Sequence, residues 1–171
     1  MIDFRNATIT LQDVTKENLS QILKLEVSET QRKFVAPNSV SIAQAYFYQE
    51  GWFQAIYADE TPIGFVMLYI DEEKTEYDLW RFMIDQRYQG QGLGMKALKL
   101  VIDIAADLPD AEVLHLSYVP ETGNPAPFYA KAGFEETGKV EHNENVMRLV
   151  LHPHDHHDHD HDHTDEHDHQ H

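Results

Sequence analysis

The spacing of apolar and polar residues predicts a domain of mixed helices and strands. Short apolar or alternating segments bounded by turn residues are predicted strands; they are Ala7–Val14, Phe53–Ala58, Ile63–Ile70, Glu76–Asp85, Val113–Val119, Phe134–Val140 and Asn145–Leu151. Predicted helices cover Glu17–Glu29, Ser41–Gln49, a long segment from the loop at Gln89–Gly94 to about Asp107, and Pro127–Ala132. This order predicts an antiparallel meander, a βαβ unit and a closing strand pair, which is a mixed α/β (α+β) fold.

The first predicted helix carries an acidic residue on its apolar face. Leu19, Ile22, Leu23 and Val27 fall on one side of this helix, and Glu26 falls on the same stripe. A carboxylate among apolar side chains needs a partner to compensate its desolvation. Glu26 is therefore a candidate either for ligand binding or for an ion pair with a nearby Lys or Arg.

The composition changes sharply at His152. The segment from there to the end, HPHDHHDHDHDHTDEHDHQH, holds ten of the 12 histidines, seven of the 30 acidic residues and none of the 13 lysines and arginines. A segment with no apolar side chain except one proline cannot bury enough surface to offset its ordering entropy. Residues 152–171 are therefore predicted to be a disordered tail, and residues 1–151 the folded domain.

The tail is predicted to bind metal ions. Neutral imidazoles and carboxylates suit Zn²⁺, Ni²⁺ or Cu²⁺, and the candidate ligands are His154, His156, His157, His159, His161 and His163. Nothing in the pattern connects such a metal with catalysis. Metal storage or sensing by the tail stays open as a separate role.

The charge of the chain limits its partners. The formal net charge is −17, and 23 acidic against 13 basic residues before His152 leave about −10 without the tail. Such a field repels nucleic acids and attracts cations, so a small polycation is a plausible partner and nucleic acid is not. The chain has no cysteine, no secretory signal and no apolar run long enough to cross a bilayer. We expect a cytoplasmic protein without a membrane partner, and a homodimer is compatible with the sequence.

A glycine-rich loop, RYQGQGLG from Arg87 to Gly94, lies between a predicted strand and an amphipathic helix. Glycines let main-chain N–H groups approach an anion, and a helix start adds its positive dipole end. A Walker loop does not fit because no Gly-Lys-Ser/Thr follows, and a Rossmann site fits poorly because the glycine spacing differs and the loop follows the fourth strand. A pyrophosphate site for coenzyme A and a purely structural turn remain as alternatives.

Two separated motifs resemble the GCN5-related N-acetyltransferase (GNAT) family. Gln89-Gly90-Gln91-Gly92-Leu93-Gly94 is similar to that family's Q/R-x-x-G-x-G/A signature. GNPAPFYAKAGF resembles the family's small helix with a tyrosine, here Tyr129, before a Gly-Phe pair that opens the next strand. YDLWRFMIDQRYQGQGLGMKAL, with QRKFVAPNSVS and GFVMLYI, is similar to bacterial spermine/spermidine acetyltransferases of the multidrug-resistance-operon type.

The resemblance implies a GNAT fold and a site for acetyl-CoA. That fold has a central, mostly antiparallel sheet of six or seven strands, flanking helices, and splayed strands four and five, here Glu76–Asp85 and Val113–Val119. The slot between them would hold the pantetheine, and the loop amides would hold the pyrophosphate. The implied coenzyme-binding residues are Phe82, Met83, Ile84, Gln89, Gly90, Gln91, Gly92, Leu93, Gly94, Asn124 and Tyr129. The asparagine that many relatives carry seven positions before the tyrosine is replaced here by Thr122.

The resemblance also implies direct acetyl transfer to an amine. Tyr129 would protonate or hydrogen-bond the departing thiolate, unless it only packs on the core. An alkylammonium has a pKa of about 10.4, like lysine, so it must lose a proton before it attacks. In some relatives a glutamate on the fourth strand accepts this proton, and the candidates here are Glu76 and Asp78.

The predicted acceptor-binding residues are Glu26, Glu29 and Trp80. Glu26 and Glu29 would form an acidic surface for the second amine of a polyamine, and Trp80 would line its methylene chain. The sequence thus predicts an acetyl-CoA-dependent N-acetyltransferase for a polyamine, such as spermine or spermidine, or another small amine. The alternatives are a protein or antibiotic amine as acceptor and, in a different class, a metal-buffering protein that works through its tail.

Overall fold

The computed structural model describes residues 2–152 of the chain. Its strands are β1 (Ile9–Gln12), β2 (Gly51–Ala58), β3 (Thr61–Asp71), β4 (Glu76–Ile84), β5 (Val113–Tyr118), β6 (Glu135–Glu141) and β7 (Glu144–Val150). Its helices are α1 (Leu19–Lys24), α2 (Asn38–Phe47), α3 (Leu93–Ala106) and α4 (Ala126–Lys131), with 3₁₀ turns at Glu29–Gln31 and Gln86–Tyr88. The predicted tail disorder and the predicted metal ligands from His154 to His163 lie outside these described residues.

The strands form one sheet in the order β1-β2-β3-β4-β5-β7-β6. Every neighbouring pair is antiparallel except β4 and β5, which run parallel. A parallel pair requires a crossover connection, and α3 supplies it. This arrangement confirms the predicted mixed fold with a mostly antiparallel sheet of seven strands.

The two faces of the sheet bury different sets of side chains. Alternation along β2 sends Ile56 and Ala58 to the cluster that α3 covers, and Ala55 and Tyr57 to the cluster that α1 and α2 cover. On α3 the buried residues are Leu93, Ala97, Leu98, Val101, Ala105 and Ala106. The long amphipathic helix is thus where its apolar spacing predicted it, and its stripe fixes the position of the glycine-rich loop against the end of β4.

The first helix is shorter than predicted. It ends at Lys24, because Leu25 is already extended with φ −65° and ψ 130°. The helical stripe on which Glu26 was placed is therefore wrong. Leu23 is 45% exposed, whereas Leu25 and Val27, two positions apart on the extended segment, are both buried. Glu26 lies between them and is exposed to solvent.

β4 contains a β-bulge in its middle. Met67 of β3 pairs with Arg81 whereas Leu68 pairs with Leu79, so Trp80 is an extra residue on β4. A bulge bends its strand and re-aims a side chain, and bulges are frequent beside active sites. Here the bulge shifts the alternation, so Tyr77 and Leu79 before it and Phe82 and Ile84 after it all join the cluster that α3 covers. Trp80 packs against the smaller core cluster on the other face.

β4 and β5 separate along most of their length. Their register contains one pair, Asp78 with His115, although β4 has nine residues and β5 has six. Beyond this pair towards the end of β4 the facing main-chain groups have no partner strand. The opening confirms the predicted splaying of the fourth and fifth strands.

Candidate active site

The glycine-rich loop presents main-chain amides at the start of α3. Gly90 and Gly92 have φ values of +81° and +76°, which favour glycine, and a Cβ at either position would meet no atom within 4 Å. Gly92 caps α3, and the first N–H groups of a helix have no intrahelical partner. The loop is therefore an open anion-binding concavity.

The glutamines of the loop have structural contacts. The Gln89 side chain donates to the carbonyl of Ile84 at 2.8 Å and exchanges hydrogen bonds with Gln31. The Gln91 side chain accepts from the main-chain N–H of Phe4 at 2.7 Å. These contacts hold the loop in place, so the part of the motif left for a ligand is its main chain.

Asp85 fixes the start of the loop. Its side chain is 1% exposed and accepts from the main-chain N–H groups of Arg87 and Glu26 at 2.9 and 3.0 Å, and from Arg87 Nε at 2.8 Å. Burial alone would raise the pKa of this carboxyl, but the hydrogen bonds from Arg87 and Glu26 outweigh it and keep the pKa below its usual value. Asp85 is thus an ionised structural anchor.

A cavity of about 1080 Å³ lies along the opening between β4 and β5. Its lining comes from β4, β5, the β6–β7 hairpin, α4 and residues 32–37. Of the predicted pantetheine-binding residues, Phe82 lines it, whereas the side chains of Met83 and Ile84 are buried in the two core clusters. The cavity thus runs along β4 from Glu76 to Phe82, and the glycine-rich loop, Gln89–Gly94, does not line it.

Tyr129 brings a hydroxyl into this cavity from α4. Its side chain is 9% exposed, and its ring packs edge-to-face against Phe128 and Phe134. Within residues 2–152 the hydroxyl has no hydrogen-bond partner, although the residue lines the cavity. Burial raises the pKa of Tyr129 well above its usual value. The phenol therefore stays protonated and can donate a hydrogen bond to a group in the cavity.

Asp78 brings a carboxyl into the same cavity from β4. Its side chain is 45% exposed, as is that of His115, and the distance from Asp78 Oδ1 to His115 Nδ1 is 4.0 Å. Burial, with the nearby charges of Glu76 and Glu141, raises the pKa of Asp78 to about 6. A carboxyl with this pKa is largely ionised at pH 7 but binds a proton more readily than an ordinary aspartate. Glu76 also lines the cavity and is exposed.

Aromatic and basic side chains lie beside these carboxylates. Trp80 lines the cavity and packs edge-to-face on Tyr69 and Tyr48, with ring centroids 6.1 and 5.8 Å apart. Arg81 donates to the carbonyl of Trp80 at 2.9 Å and to Gln44 at 3.2 Å. The predicted position of Trp80 beside a ligand cavity fits this geometry.

Three predicted residues lie apart from the cavity or are engaged elsewhere. Glu26 and Glu29 do not line it; Glu26 pairs with Arg32 at 3.7 Å and lines a separate cavity of about 480 Å³. The local ion pair is thus the alternative for Glu26 that the structure favours. The side chain of Asn124 accepts from the N–H of Ala126 at 2.9 Å and so supports the start of α4. The side-chain amide nitrogen of Asn124 donates to the main-chain carbonyl of Glu121.

Several residues that line the cavity were not predicted from the sequence. They are the carboxylates of Asp110, Glu112, Glu141 and Glu144, and the basic groups of His115, Lys139 and Arg148. Asp110 and Glu112 come from the loop between α3 and β5, His115 from β5, and the others from β6 and β7. The pairing of β7 between β5 and β6 brings the last group to the surface beside β5, and no local motif signals that pairing.

The described part of the chain, residues 2–152, has no helix with the length and hydropathy needed to cross a bilayer. In the same residues no group of three His, Cys, Asp or Glu side chains is arranged to hold a metal ion. The metal site predicted on the tail therefore stays a prediction, because its ligands lie beyond the residues described.

Known proteins share sequence and fold with this chain. The profile of the acetyltransferase (GNAT) family matches residues 17–134. The spermine/spermidine N(1)-acetyltransferase of Bacillus subtilis (strain 168) is 31% identical over 150 residues, which are 82% of this chain and 97% of that protein.

Solved structures show the same fold at lower identity. The PaiA N-acetyltransferase of Thermoplasma acidophilum in complex with coenzyme A has a TM-score of 0.61 and 18% identity, over 84% of this chain and 99% of that one. The spermidine N-acetyltransferase of Vibrio cholerae in complex with CoA and spermine has a TM-score of 0.66 and 16% identity, over 84% and 95% of the two chains.

Proposed function

The chain belongs to the acetyltransferase (GNAT) family, and we propose that it transfers the acetyl group of acetyl-CoA to a primary amine of a polyamine. Membership of this family makes the protein an N-acetyltransferase. The observation that carries the proposal is the cavity on the β4–β5 opening, into which Tyr129 brings a phenol and Asp78 a carboxylate.

The residues at this opening fit acetyl-CoA. The loop at Gly90 and Gly92 leaves open space beside the first amides of α3, which suits a pyrophosphate. The unpaired edges of β4 and β5 offer main-chain groups to the amides of a pantetheine chain. When bound there, acetyl-CoA supplies an acetyl thioester whose sulfur leaves as the acceptor nitrogen takes the acetyl group.

Tyr129 acts as a hydrogen-bond donor to the leaving sulfur. A thiol has a pKa of about 8.5, below the raised pKa of the phenol, so complete proton transfer from Tyr129 is uphill. A hydrogen bond that strengthens as charge develops on sulfur has no such cost. In a buried position a single donor of this kind is worth about 10²–10³ in rate.

Asp78 acts as the general base. The difference of about four units between a pKa of about 6 and that of an alkylammonium corresponds to about 6 kcal/mol. Loss of the ammonium proton to Asp78 before attack is uphill by that energy, yet it has to happen because an ammonium nitrogen has no lone pair. The neutral amine then attacks, and the role assigned to Asp78 is to remove the N–H proton that becomes acidic as the C–N bond forms. Glu76 stays the less buried alternative base on the same strand.

The acceptor is proposed to be a polyamine because carboxylates continue along the cavity beyond Asp78. Glu76 and Glu141 lie close enough to raise the pKa of Asp78, and these charges attract a second ammonium group. Trp80 and Tyr69 border the same cavity and can pack on a methylene chain. The 31% identical Bacillus relative bears the name of a spermine/spermidine acetyltransferase, which supports the same class.

Thiol release from acetyl-CoA tests the proposal. We expect it with spermine, spermidine and diamines, and a higher KM with a monoamine of equal chain length. Mass spectrometry should find one acetyl group on a primary nitrogen. If aminoglycosides or peptides are acetylated faster than all polyamines, the acceptor class is wrong; if no amine stimulates thiol release, the coenzyme and acceptor assignment fails.

A pair of variants locates the polyamine site. Glu141→Gln should raise the KM for spermidine about tenfold, which corresponds to about 1.4 kcal/mol, and leave the KM for the monoamine unchanged. Glu26→Gln is the matched control, because Glu26 is paired with Arg32 and does not itself line the larger cavity. If Glu26→Gln raised the KM for spermidine and not for the monoamine, the second ammonium would bind at Glu26, as the sequence predicted.

A further inference from the structure

A row of four polar side chains crosses the sheet at the level of the cavity. Register pairs place Asp78 of β4 beside His115 of β5, His115 beside Arg148 of β7, and Arg148 beside Glu135 of β6. Paired residues on neighbouring strands point to the same face. His115 therefore stands between a carboxylate on one side and a guanidinium on the other.

His115 shares the cavity with Asp78. Both side chains are 45% exposed, and both line the cavity. The 4.0 Å between His115 Nδ1 and Asp78 Oδ1 is longer than a direct hydrogen bond. Both side chains are half-exposed, so packing leaves room for the two groups to approach to hydrogen-bond distance when Asp78 carries a proton.

Burial of His115, more than the charges around it, favours its neutral imidazole. Lys139 of β6 and Arg148 of β7 face it with positive charge, whereas Glu141 of β6 and Glu76 of β4 face it with negative charge. Burial, followed by Lys139, lowers the pKa of His115 from its usual value of about 6.5. At neutral pH the ring is thus a free base that can accept a proton.

We propose that His115 is a positioning residue that acts through Asp78: the unprotonated Nδ1 of its neutral ring takes over the proton that Asp78 removes from the acceptor, while Nε2 keeps the ring proton. An N–H bond of the attacking amine breaks and an O–H bond forms on Asp78. That O–H bond then breaks as an N–H bond forms on His115 Nδ1. The Nδ1–H proton passes to a solvent water, which returns the ring to its starting neutral form. No electrons are gained or lost overall, and Asp78 returns to its ionised form.

This inference rests on the proposed function, because it assigns Asp78 the role of base. It also explains how one carboxylate is reset after each turnover. The groups that must be unprotonated are then two, Asp78 and His115. Both groups take up a proton on the acidic side of neutrality. The rate constant kcat/KM should therefore fall with two protonation steps as the pH is lowered.

The pH dependence of kcat/KM in His115→Gln tests the assignment. In the wild type we expect log kcat/KM to rise with a slope approaching about two at low pH, and in His115→Gln with a slope of about one. The variant should also lose about tenfold in kcat without a change in the KM for acetyl-CoA. His142→Gln is the matched control, because His142 is exposed in the β6–β7 turn; its profile should equal that of the wild type.

Two further measurements separate a relay from a structural role. In His115→Ala, added imidazole should restore rate in proportion to its neutral form, which a merely structural histidine would not allow. Asp78→Asn should lower the pKa of His115, followed by NMR, since it removes an adjacent negative charge. His115→Asn replaces the glutamine variant if thermal unfolding shows that the latter does not fold.

The outcomes distinguish this inference from the function on which it rests. A wild-type enzyme that acetylates polyamines, together with a His115→Gln variant of unchanged slope and kcat, overturns the role of His115 only. Absence of thiol release by the wild type overturns the proposed function and the relay with it. In that case an unchanged pKa of His115 in Asp78→Asn would also exclude the electrostatic coupling of the pair.

Discussion

Lys33 Nζ lies 3.0 Å from a carboxylate oxygen of Glu121, and this ion pair joins the segment before α2 to the loop after β5. Lys33 lines the cavity, whereas Glu121 does not. The two side chains are 52% and 58% exposed. Water and salt therefore screen the pair, which makes it weak as a source of stability.

A double-mutant cycle of Lys33→Ala and Glu121→Ala should give a coupling energy below about 1 kcal/mol. We expect the coupling to fall further when urea unfolding is repeated at about 1 M salt. A coupling that exceeds about 2 kcal/mol and resists salt would mean that the pair is shielded from solvent in solution.

Tyr129→Phe should lower kcat by about 10²-fold, because it removes the donor to the leaving sulfur. Its free energy of unfolding should change little, since the hydroxyl has no partner within residues 2–152. Tyr77→Phe is the matched control: Tyr77 is buried, lies outside the cavity and donates to the carbonyl of Pro109. That variant should lose about 1 kcal/mol of stability and keep its kcat. Full activity of Tyr129→Phe would remove Tyr129 from the mechanism.

Gly90→Ala should raise the KM for acetyl-CoA about tenfold, because a methyl group would stand in the open space beside the loop amides. Gly138→Ala is the matched control. Gly138 of β6 has a φ of +79°, close to the +81° of Gly90, and a Cβ there would also meet no atom within 4 Å. Both variants should lose about 1–2 kcal/mol of stability through backbone strain. Calorimetry with coenzyme A should show weakened binding for Gly90→Ala alone; equal binding by both would move the pyrophosphate away from this loop.

Asp85→Asn should destabilise the fold by about 2 kcal/mol, since it removes the charge from three partly buried hydrogen bonds to a buried carboxylate. The folded pKa of Asp85 lies below the unfolded value of about 3.8, so its stabilisation is present above that value and is lost as the pH falls through the folded pKa. Urea unfolding between pH 2 and 7 should show a smaller acid destabilisation in the variant.

Asp3→Asn is the control for this pH effect. The hydrogen bonds from Arg5 hold the pKa of Asp3 at about 2, but both side chains are largely exposed. Solvent screens such a pair, so the variant should unfold almost like the wild type at every pH. If Asp3→Asn changed the pH dependence of the free energy of unfolding as much as Asp85→Asn, a lowered pKa and not burial would determine how much a carboxylate stabilises the fold.

Most strands and the longest helix could be predicted because their signals are local. β2 and β3 were predicted within three residues of their observed ends, since alternation and a turn at Asp59 define the hairpin. α3 follows from its apolar spacing and from the glycine that caps it. The glycine-rich loop could be predicted for the same reason, because its motif consists of consecutive residues.

The first helix and the acceptor site could not be predicted in this way. Ile22, Leu25 and Val27 are all buried, yet the chain changes from helix to extended structure at Leu25. Over so few residues, the apolar spacing of a helix and the two-residue repeat of an extended segment look alike. The spacing alone therefore does not show where the helix ends. The prediction that Glu26 lies on the apolar face of a helix was wrong as a consequence.

The carboxylates of the cavity depend on pairing between distant strands. Glu141 follows from the β6–β7 hairpin, but its proximity to Asp78 requires β7 to pair with β5 as well. His115 meets Asp78 through a single register pair across a parallel junction. Such contacts are set by the three-dimensional packing of the whole domain, which no local window of sequence contains.

The pair Asp78–His115 is also where the hydrogen-bonded ladder of the sheet is narrowest. The four-stranded part, β1 to β4, and the three-stranded part, β5 to β7, are each internally continuous. The two parts share the hydrophobic cluster that α3 covers, but their strand ladders join at one register pair, so the main-chain amides that border the opening lack the protection found within either part. Hydrogen exchange should then reveal a weakly protected set of amides along the β4–β5 opening in the ligand-free protein, and a molecule that bridges the opening should slow their exchange.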